Sequence, residues 1–186
     1  MHRRIAILAL PTLIAVPAIA LGASKSEKQA EVRTAAQKAL DALYKAQPSA
    51  RSAVASAAGY AAFSNFGMKI LLAGSGTGEG IAVNNKTKAM TYMKMVELQA
   101  GLGIGVKKFQ LVWVFEKESA LNDFIQSGWT FGGQSTAAAK AGDSGSSYQG
   151  ALAVGPGIWL YQITDKGLAL ELTAKGTKYY KDDELN

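Results

Sequence analysis

Glycine occupies every second position of "AGSGTGEG", Ala73 to Gly80, and glycine-rich loops are where backbone amides come close enough to hold a phosphate. The stretch fails each phosphate-binding template on specifics. A Walker loop ends in Gly-Lys-Ser/Thr, and the chain has no Gly-Lys pair. A dinucleotide fingerprint opens a helix directly after its glycines, whereas "IAVNN" follows here and reads as strand and turn. The kinase spacing Gly-x-Gly-x-x-Gly-x-Val is missed by one residue at Gly76, Gly78 and Gly80. In a strand, by contrast, Gly74, Gly76, Gly78 and Gly80 share one face and leave a bare backbone stripe, a device repeated by Gly101, Gly103 and Gly105. Strand glycine costs roughly 0.5–1 kcal/mol relative to alanine, so something must pack closely there: a helix, an aromatic ring or a neighbouring sheet. An open ligand groove is the alternative.

Other reactive groupings are incomplete. "GDSGS", Gly142 to Ser146, resembles the nucleophile segment of serine proteases, but the only histidine is His2, and no Ser-x-x-Lys pattern offers a lysine base. Glu79, Glu97, Glu116, Asp123, Asp165 and Glu171 fall on separate elements, where solvated faces and turns account for them, although a glycosidase-type pair needs only two carboxylates across a bond. With no cysteine, no mature histidine and no calcium-loop spacing, neither a metal site nor a cofactor is expected. No disulfide or thiol chemistry is open to the chain.

Basic and aromatic residues are more informative. Lys107 and Lys108 precede an apolar strand, Lys175, Lys178 and Lys181 flank Tyr179 and Tyr180, and Trp113, Trp129 and Trp159 lie in or beside strands. Rings at headgroup depth with ammonium groups on phosphates suit a lipid interface. Lys107, Lys108, Lys175, Lys178, Tyr179, Tyr180 and Trp129 are therefore the candidate lipid contacts. The plainer alternative places the tryptophans in the core and leaves the lysines solvating the surface.

The elements that must position these residues begin with a leader. Arg3 and Arg4 precede the apolar run "IAILALPTLIAVPAIAL", broken by Pro11 and Pro17, and small residues follow. Residues 1–23 read as a secretory signal peptide cleaved after Ala23, with Ala20 a second site, which predicts a periplasmic or secreted protein. Ser24 stands where a lipoprotein would carry its lipidated cysteine, so no lipid anchor is expected by that route. Losing Arg3 and Arg4 lowers the formal charge from +6 to +4, which still favours anionic partners. Nucleic acid would use similar lysines, but an exported chain seldom meets it.

Residues 24–58 read as two helices. Val32, Ala36, Leu40 and Leu43 make a narrow amphipathic stripe between Ser26 and Gln47, and Pro48 stops it. Ser49 is placed to cap a second, alanine-rich helix, and Gly59 to close it in the left-handed conformation. From Gly59 the period changes to two. "YAAFSNF", the glycine stretch, "AMTYMKMVEL" and "GLGIGVKKFQLVWVF" read as strands, the last central and doubly buried, with Asn84-Asn85 as a hairpin turn. "KESALNDFIQSG" is one inserted helix facing the core through Leu121, Phe124 and Ile125 and stopped by Gly128. "WTFGG" returns to strand, residues 135–150 read as a surface loop, and "PGIWLYQIT" and "LALELTA" are final strands about Asp165-Lys166-Gly167. "TKYYKDDELN" is expected to be a short helix or tail. The class is α+β: N-terminal helices, then a mainly antiparallel, glycine-rich sheet or partial barrel, with residues 24–58 and 59–186 forming one globular domain.

Several segments together resemble the SYLF domain, a lipid-binding family: "AAGYAAFSNFG", "GSGTGEGIAV", "KKFQLVWVFEKESALNDFIQSG" with "WTFGGQSTAAA", and "YQITDKGLALELTAKGTKYY" with "KDDELN". They run in family order from about Ala57 to Asn186. Ser64 stands where the family often has proline, and "AAAKAGDSG" where it commonly reads "AAGPVG". The resemblance implies non-enzymatic binding of anionic phospholipids, such as phosphoinositides or phosphatidic acid, at the cell envelope. It also implies that an N-terminal amphipathic helix, here Ser26 to Gln47, takes part in some members. Actin binding, a property of eukaryotic branches, is not carried over to an exported bacterial protein. A protein-interaction module of the envelope, with the glycine stripes receiving a partner's strand or helix, is the competing function.

Overall fold

Ser24 and Glu27 start the first helix by a reciprocal cap: the Glu27 amide donates to Ser24 Oγ at 3.2 Å, and the Ser24 amide donates to Glu27 Oε2 at 2.6 Å. Hydrogen bonding to the carboxylate from the Ser24 amide, and then from the Ser24 hydroxyl, holds the Glu27 carboxyl below its ordinary range. The structure is a computed structural model that describes residues 23–70, 73–100, 105–131, 140–141, 147–169 and 177–186. The proposed leader therefore lies outside the described residues, except for Ala23. Helix α1 (Lys25–Ala46) buries Val32, Ala36, Ala39, Leu40 and Leu43, which extends the expected stripe by Ala39. Among the described residues no helix is long and apolar enough to cross a membrane.

Helix α2 (Ala50–Ser56) forms where expected, but Ser49 makes no side-chain cap, and its backbone is already helical. Gly59 does not close α2 either. It is the first residue of β1, where an added Cβ would sit 2.4 Å from the Val83 carbonyl and 2.6 Å from Leu121 Cδ2. Close packing, not a left-handed turn, is what keeps that position bare.

The strands are β1 (Gly59–Ile70), β2 (Ala73–Asn84), β3 (Met90–Ala100), β4 (Gly105–Phe115), β5 (Trp129–Phe131), β6 (Lys140–Ala141), β7 (Leu152–Gly155), β8 (Ile158–Thr164), β9 (Gly167–Ala169) and β10 (Thr177–Lys181). They form one sheet in the order β5-β10-β3-β2-β1-β4-β8-β7-β6, with β9 on β8, and every described pairing is antiparallel. The α+β class and the partial barrel are as expected. Strand β4 is the central, doubly buried strand: Leu111 to Phe115 are all buried between β1 and β8.

Other elements differ from the sequence reading, and the two-residue strand β6 falls within the expected surface loop 135–150. "TKYY" is not tail or helix but β10, inserted between β3 and β5. Leu152–Gly155 adds a strand, β7, turned back onto β8 through Pro156 and Gly157. The Asn84-Asn85 turn lies where expected but works differently: Asn84 Oδ1 accepts from the Lys86 and Thr87 amides, and the positive φ, 62°, falls on Lys88. The "GDSGS" segment lies outside the described residues.

Each face of the sheet buries its own core. On the outer face α1 and α2 pack against Ala62, Ile81, Val83, Tyr92, Val112, Val114 and Tyr161. On the inner face helix α3 (Glu118–Ser127) presses Leu121 and Phe124 against Phe63, Met93, Met95, Trp113, Phe115 and Tyr179, with Ile125 half-buried beside them. Gly128 ends α3 with φ 71°, and a Cβ there would meet the Tyr179 carbonyl at 2.5 Å.

Of the glycine stripe, Gly78 and Gly80 face this inner core. At Gly80 an added Cβ would lie 2.3 Å from the Ala62 carbonyl and 2.5 Å from the Phe63 ring; at Gly78 it would lie 2.6 Å from Met95 Cγ. The protein's own aromatic ring and thioether occupy the space the glycines vacate. Gly101 and Gly103 lie outside the described residues.

Candidate functional site

A cleft of about 430 Å³ opens on the outer face where α1 passes over the sheet. Glu31, Val32 and Ala35 of α1 form one wall, and Ser64, Thr77, Glu79, Lys94, Val96 and Tyr180 the other. Strand register explains why these meet: Ser64 pairs with Glu79, Glu79 with Lys94, and Lys94 with Tyr180, so one cross-strand row crosses β1, β2, β3 and β10. The next row runs Lys108, Phe66, Thr77, Val96, Lys178. Period-two alternation puts Ser64, Thr77, Glu79, Lys94, Val96, Lys178 and Tyr180 on the face that α1 covers elsewhere.

Lys94 has its charge met inside the protein. Its Nζ lies 3.0 Å from Glu184 Oε2 and 3.1 Å from Asp182 Oδ1, and these bonds, Glu184 first, raise its pKa. Asp182 is buried and also accepts from the Glu184 and Leu185 amides at 3.0 and 3.4 Å. The chain's last residues are then fastened to β3 and α1. Asn186 exchanges side-chain hydrogen bonds with the Tyr92 backbone, accepting from its amide at 3.0 Å and donating to its carbonyl at 2.8 Å, as a paired strand would. Lys25 donates to the Asn186 carbonyl, Gln29 to the Leu185 carbonyl, and Arg33 to the Tyr92 hydroxyl.

The residues expected at a lipid interface divide between the two faces. Lys178 is exposed, and Tyr180 is half-buried in the cleft wall. Of Lys108 and Lys107 only the backbone register is described: Lys108 pairs with Phe66 and Lys107 with Gly67. Tyr179 is fully buried, its ring 5.1 Å from Phe63 and 5.0 Å from Trp113, so it belongs to the core and does not meet a surface ligand. Trp129 is half-buried, 5.9 Å from Trp113. Lys175 lies outside the described residues.

Sequence reasoning missed Glu31, Lys94 and Val96. The signal for the last two was present: Lys94 and Val96 alternate with Met93 and Met95 in "YMKMV", so they occupy the face opposite the methionines. Glu31 could be found only by knowing which side of α1 crosses the sheet. Glu31 and Glu79 are the carboxylates lining the cleft, and among the described residues no three acidic, histidine or cysteine side chains converge. Chemically, the lining offers a phenol, an apolar wall from Val32, Ala35 and Val96, and a Lys94 ammonium already held by Asp182 and Glu184, while exposed Lys178 pairs with Val96 at the cleft's edge.

A family model described as Las17-binding protein actin regulator (Ysc84) matches residues 96–186, from β3 to the last residue. Beta cell expansion factor A of Aeromonas veronii is 34% identical over 165 residues, which cover 87% of this chain and 60% of that protein. The chain thus spans about three fifths of the relative's length.

Proposed function

Because this chain belongs to the Ysc84, or SYLF-domain, family, we propose that it is an exported, non-enzymatic protein that binds anionic phospholipids at the cell envelope. The observation that carries this reading is the placement of exposed Lys178 and half-buried Tyr180 two residues apart on β10, beside a cleft walled by Val32, Ala35 and Val96. An ammonium for the phosphate, an amphipathic ring at the boundary and an apolar wall behind it are what a headgroup and its glycerol backbone require. The alternative occupant is an envelope protein that uses the same surface.

The α1 helix bears on how contact is made. Its apolar stripe is committed to the outer core, so insertion of α1 into a membrane would require it to leave the sheet and expose Tyr92, Val112 and Tyr161. The docked protein must therefore use some other apolar surface.

Flotation with vesicles tests the reading. Recovery with phosphatidylglycerol or phosphatidic acid, falling with added salt, and little recovery with phosphatidylcholine alone, is the expected result. Equal, negligible recovery with both sinks it. A single stoichiometric protein partner with no lipid preference favours the envelope-protein alternative.

A further inference from the structure

Lys94 is the cation that lines the cleft, and two carboxylates of unequal standing hold it. Asp182 Oδ1, 3.1 Å from Nζ, is 1% exposed, and the Glu184 and Leu185 amides keep it in place. Glu184 Oε2 is as near, at 3.0 Å, but that side chain is 80% exposed and makes no other bond among the described residues. An exposed carboxylate on a rotatable stem is weakly held, because water solvates it almost as well when it lets go. Lys94 therefore has one fixed partner and one that can leave.

The register sets other phosphate donors beside this ammonium. Tyr180 is the cross-strand partner of Lys94, and the hydroxyls of Thr77 and Ser64 line the same cleft. Directly paired side chains have Cβ atoms about 5 Å apart, so Lys94 and Tyr180 present an ammonium and a phenol to one space. Val32, Ala35 and Val96 wall that space with apolar surface. Glu31 and Glu79 also line it, and Glu79 pairs with Lys94 by register without an ion pair to it. The attraction for an anion in this cleft comes from Lys94, at the position that Glu184 fills.

Resting on the lipid-binding reading above, we infer that Lys94 is the cleft's ligand for the lipid phosphate and that Glu184 is its built-in competitor, displaced into water when the phosphate arrives. Asp182 stays, and keeps the ammonium at the cleft. The exchange replaces a carboxylate oxygen on Nζ by a phosphate oxygen, and it leaves no buried charge unpaired because Glu184 already lies largely in solvent. Apparent affinity then scales with the fraction of molecules in which Glu184 has released Lys94. The same exchange spares the fold, since Asp182 and not Glu184 carries the bonds that fasten the chain's last turn.

Glu184→Ala removes the competitor. It also removes one negative charge, so Asp183→Ala is its control: Asp183 is exposed on the same turn and makes no ion pair with Lys94. Each protein is titrated with vesicles of phosphatidylglycerol in phosphatidylcholine and with phosphatidylcholine alone. Glu184→Ala is expected to bind the phosphatidylglycerol vesicles about two- to five-fold more tightly than Asp183→Ala does. Adding Lys94→Gln to each variant should erase that difference. Lys94→Gln takes a cation from buried Asp182, so its fold is checked by circular dichroism, and the two alanine variants decide without it. Equal affinities for Glu184→Ala and Asp183→Ala, or a difference that persists with Lys94→Gln, overturn the competitor and leave lipid binding standing. Failure of the unmodified protein to bind either vesicle overturns both.

Discussion

Trp113 on β4 and Tyr179 on β10 meet edge to face with ring centroids 5.0 Å apart, although β1, β2 and β3 lie between their strands. In a flat sheet four strand spacings would separate them by about 19 Å. The sheet must therefore curl until its flanks share one core, and these two rings are where it closes. Trp129 on the edge strand β5 extends the contact: it meets Trp113 edge to face and lies 3.6 Å from where a Cβ on Gly155 of β7 would be, so strands from both sides of the sheet converge on it.

Trp113→Ala should accordingly do more harm than a single lost side chain in a one-sided core. It removes ring contacts to Phe115, Phe124, Trp129 and Tyr179 together. The expected cost is about 3–5 kcal/mol, a fall in Tm of roughly 10 °C for a chain of this size. Urea titration followed by circular dichroism measures it, and a loss under about 1 kcal/mol would mean that the curl does not depend on this contact.

Gly80→Ala and Gly78→Ala separate two kinds of close packing. At Gly80 the new Cβ meets backbone, the Ala62 carbonyl, as well as the Phe63 ring that packs on Tyr179 and Phe124. At Gly78 the nearest atoms belong to the flexible end of Met95, with the Ser64 carbonyl at 2.8 Å. Gly80→Ala should cost about 1–3 kcal/mol and Gly78→Ala less, with Met95→Ala in the same chain recovering part of the Gly78 loss. Denaturant midpoints of the three variants give the ranking.

Much of this architecture was legible because period and composition carry it. The change from helical spacing to alternation at Gly59, the apolar run Leu111–Phe115 and the α3 face of Leu121 and Phe124 are local signals, and each found its element. The site was less legible because it is made by register. Nothing local to "TKYYK" says that Tyr179 will pair with Met95 and Trp129 and be buried while Lys178 stays in water. Gly59 misled for the same reason: a glycine after a helix reads as a cap, and only the distant Leu121 shows that it is a packing residue.

Asp182 is a small residue on which the chain's last turn depends. Asp182→Ala leaves the Glu184 amide and Lys94 Nζ without this acceptor, and loosens the segment to which Lys25 and Gln29 of α1 are bonded. A loss of about 1–3 kcal/mol is expected. Asp182→Asn keeps the Oδ1 acceptor and should lose less. Glu184 is largely exposed, so Glu184→Ala should change stability by no more than about 0.5 kcal/mol. Amide hydrogen exchange in the first turns of α1 should speed up in Asp182→Ala alone. Equal exchange in all three variants would show that α1 is held without the clasp.

Tyr161 supplies a pH dependence that one substitution can isolate. Its hydroxyl is buried on the outer face with no hydrogen-bond partner among the described residues, and burial, then the nearby Tyr148, pushes its pKa up to about 12. Below about pH 10, the ordinary tyrosine value, the phenol is neutral in both folded and unfolded chains, and the folded state keeps its full stability. Above that the unfolded chain ionises while the folded one cannot until its higher pKa is reached, so stability falls between pH 10 and about 12. Lys94, whose pKa is also raised, loses its contribution on the same alkaline side, above its own ordinary value near 10.4. Tyr161→Phe removes only the phenol. It deletes an unpaired buried oxygen and should raise stability by about 1 kcal/mol at neutral pH, and it should flatten part of the decline above pH 10 while leaving the lysine part in place. Thermal melts of the two proteins from pH 7 to 11.5 read both effects, and a lower Tm for Tyr161→Phe at pH 7 would show that the hydroxyl is bonded in the folded protein.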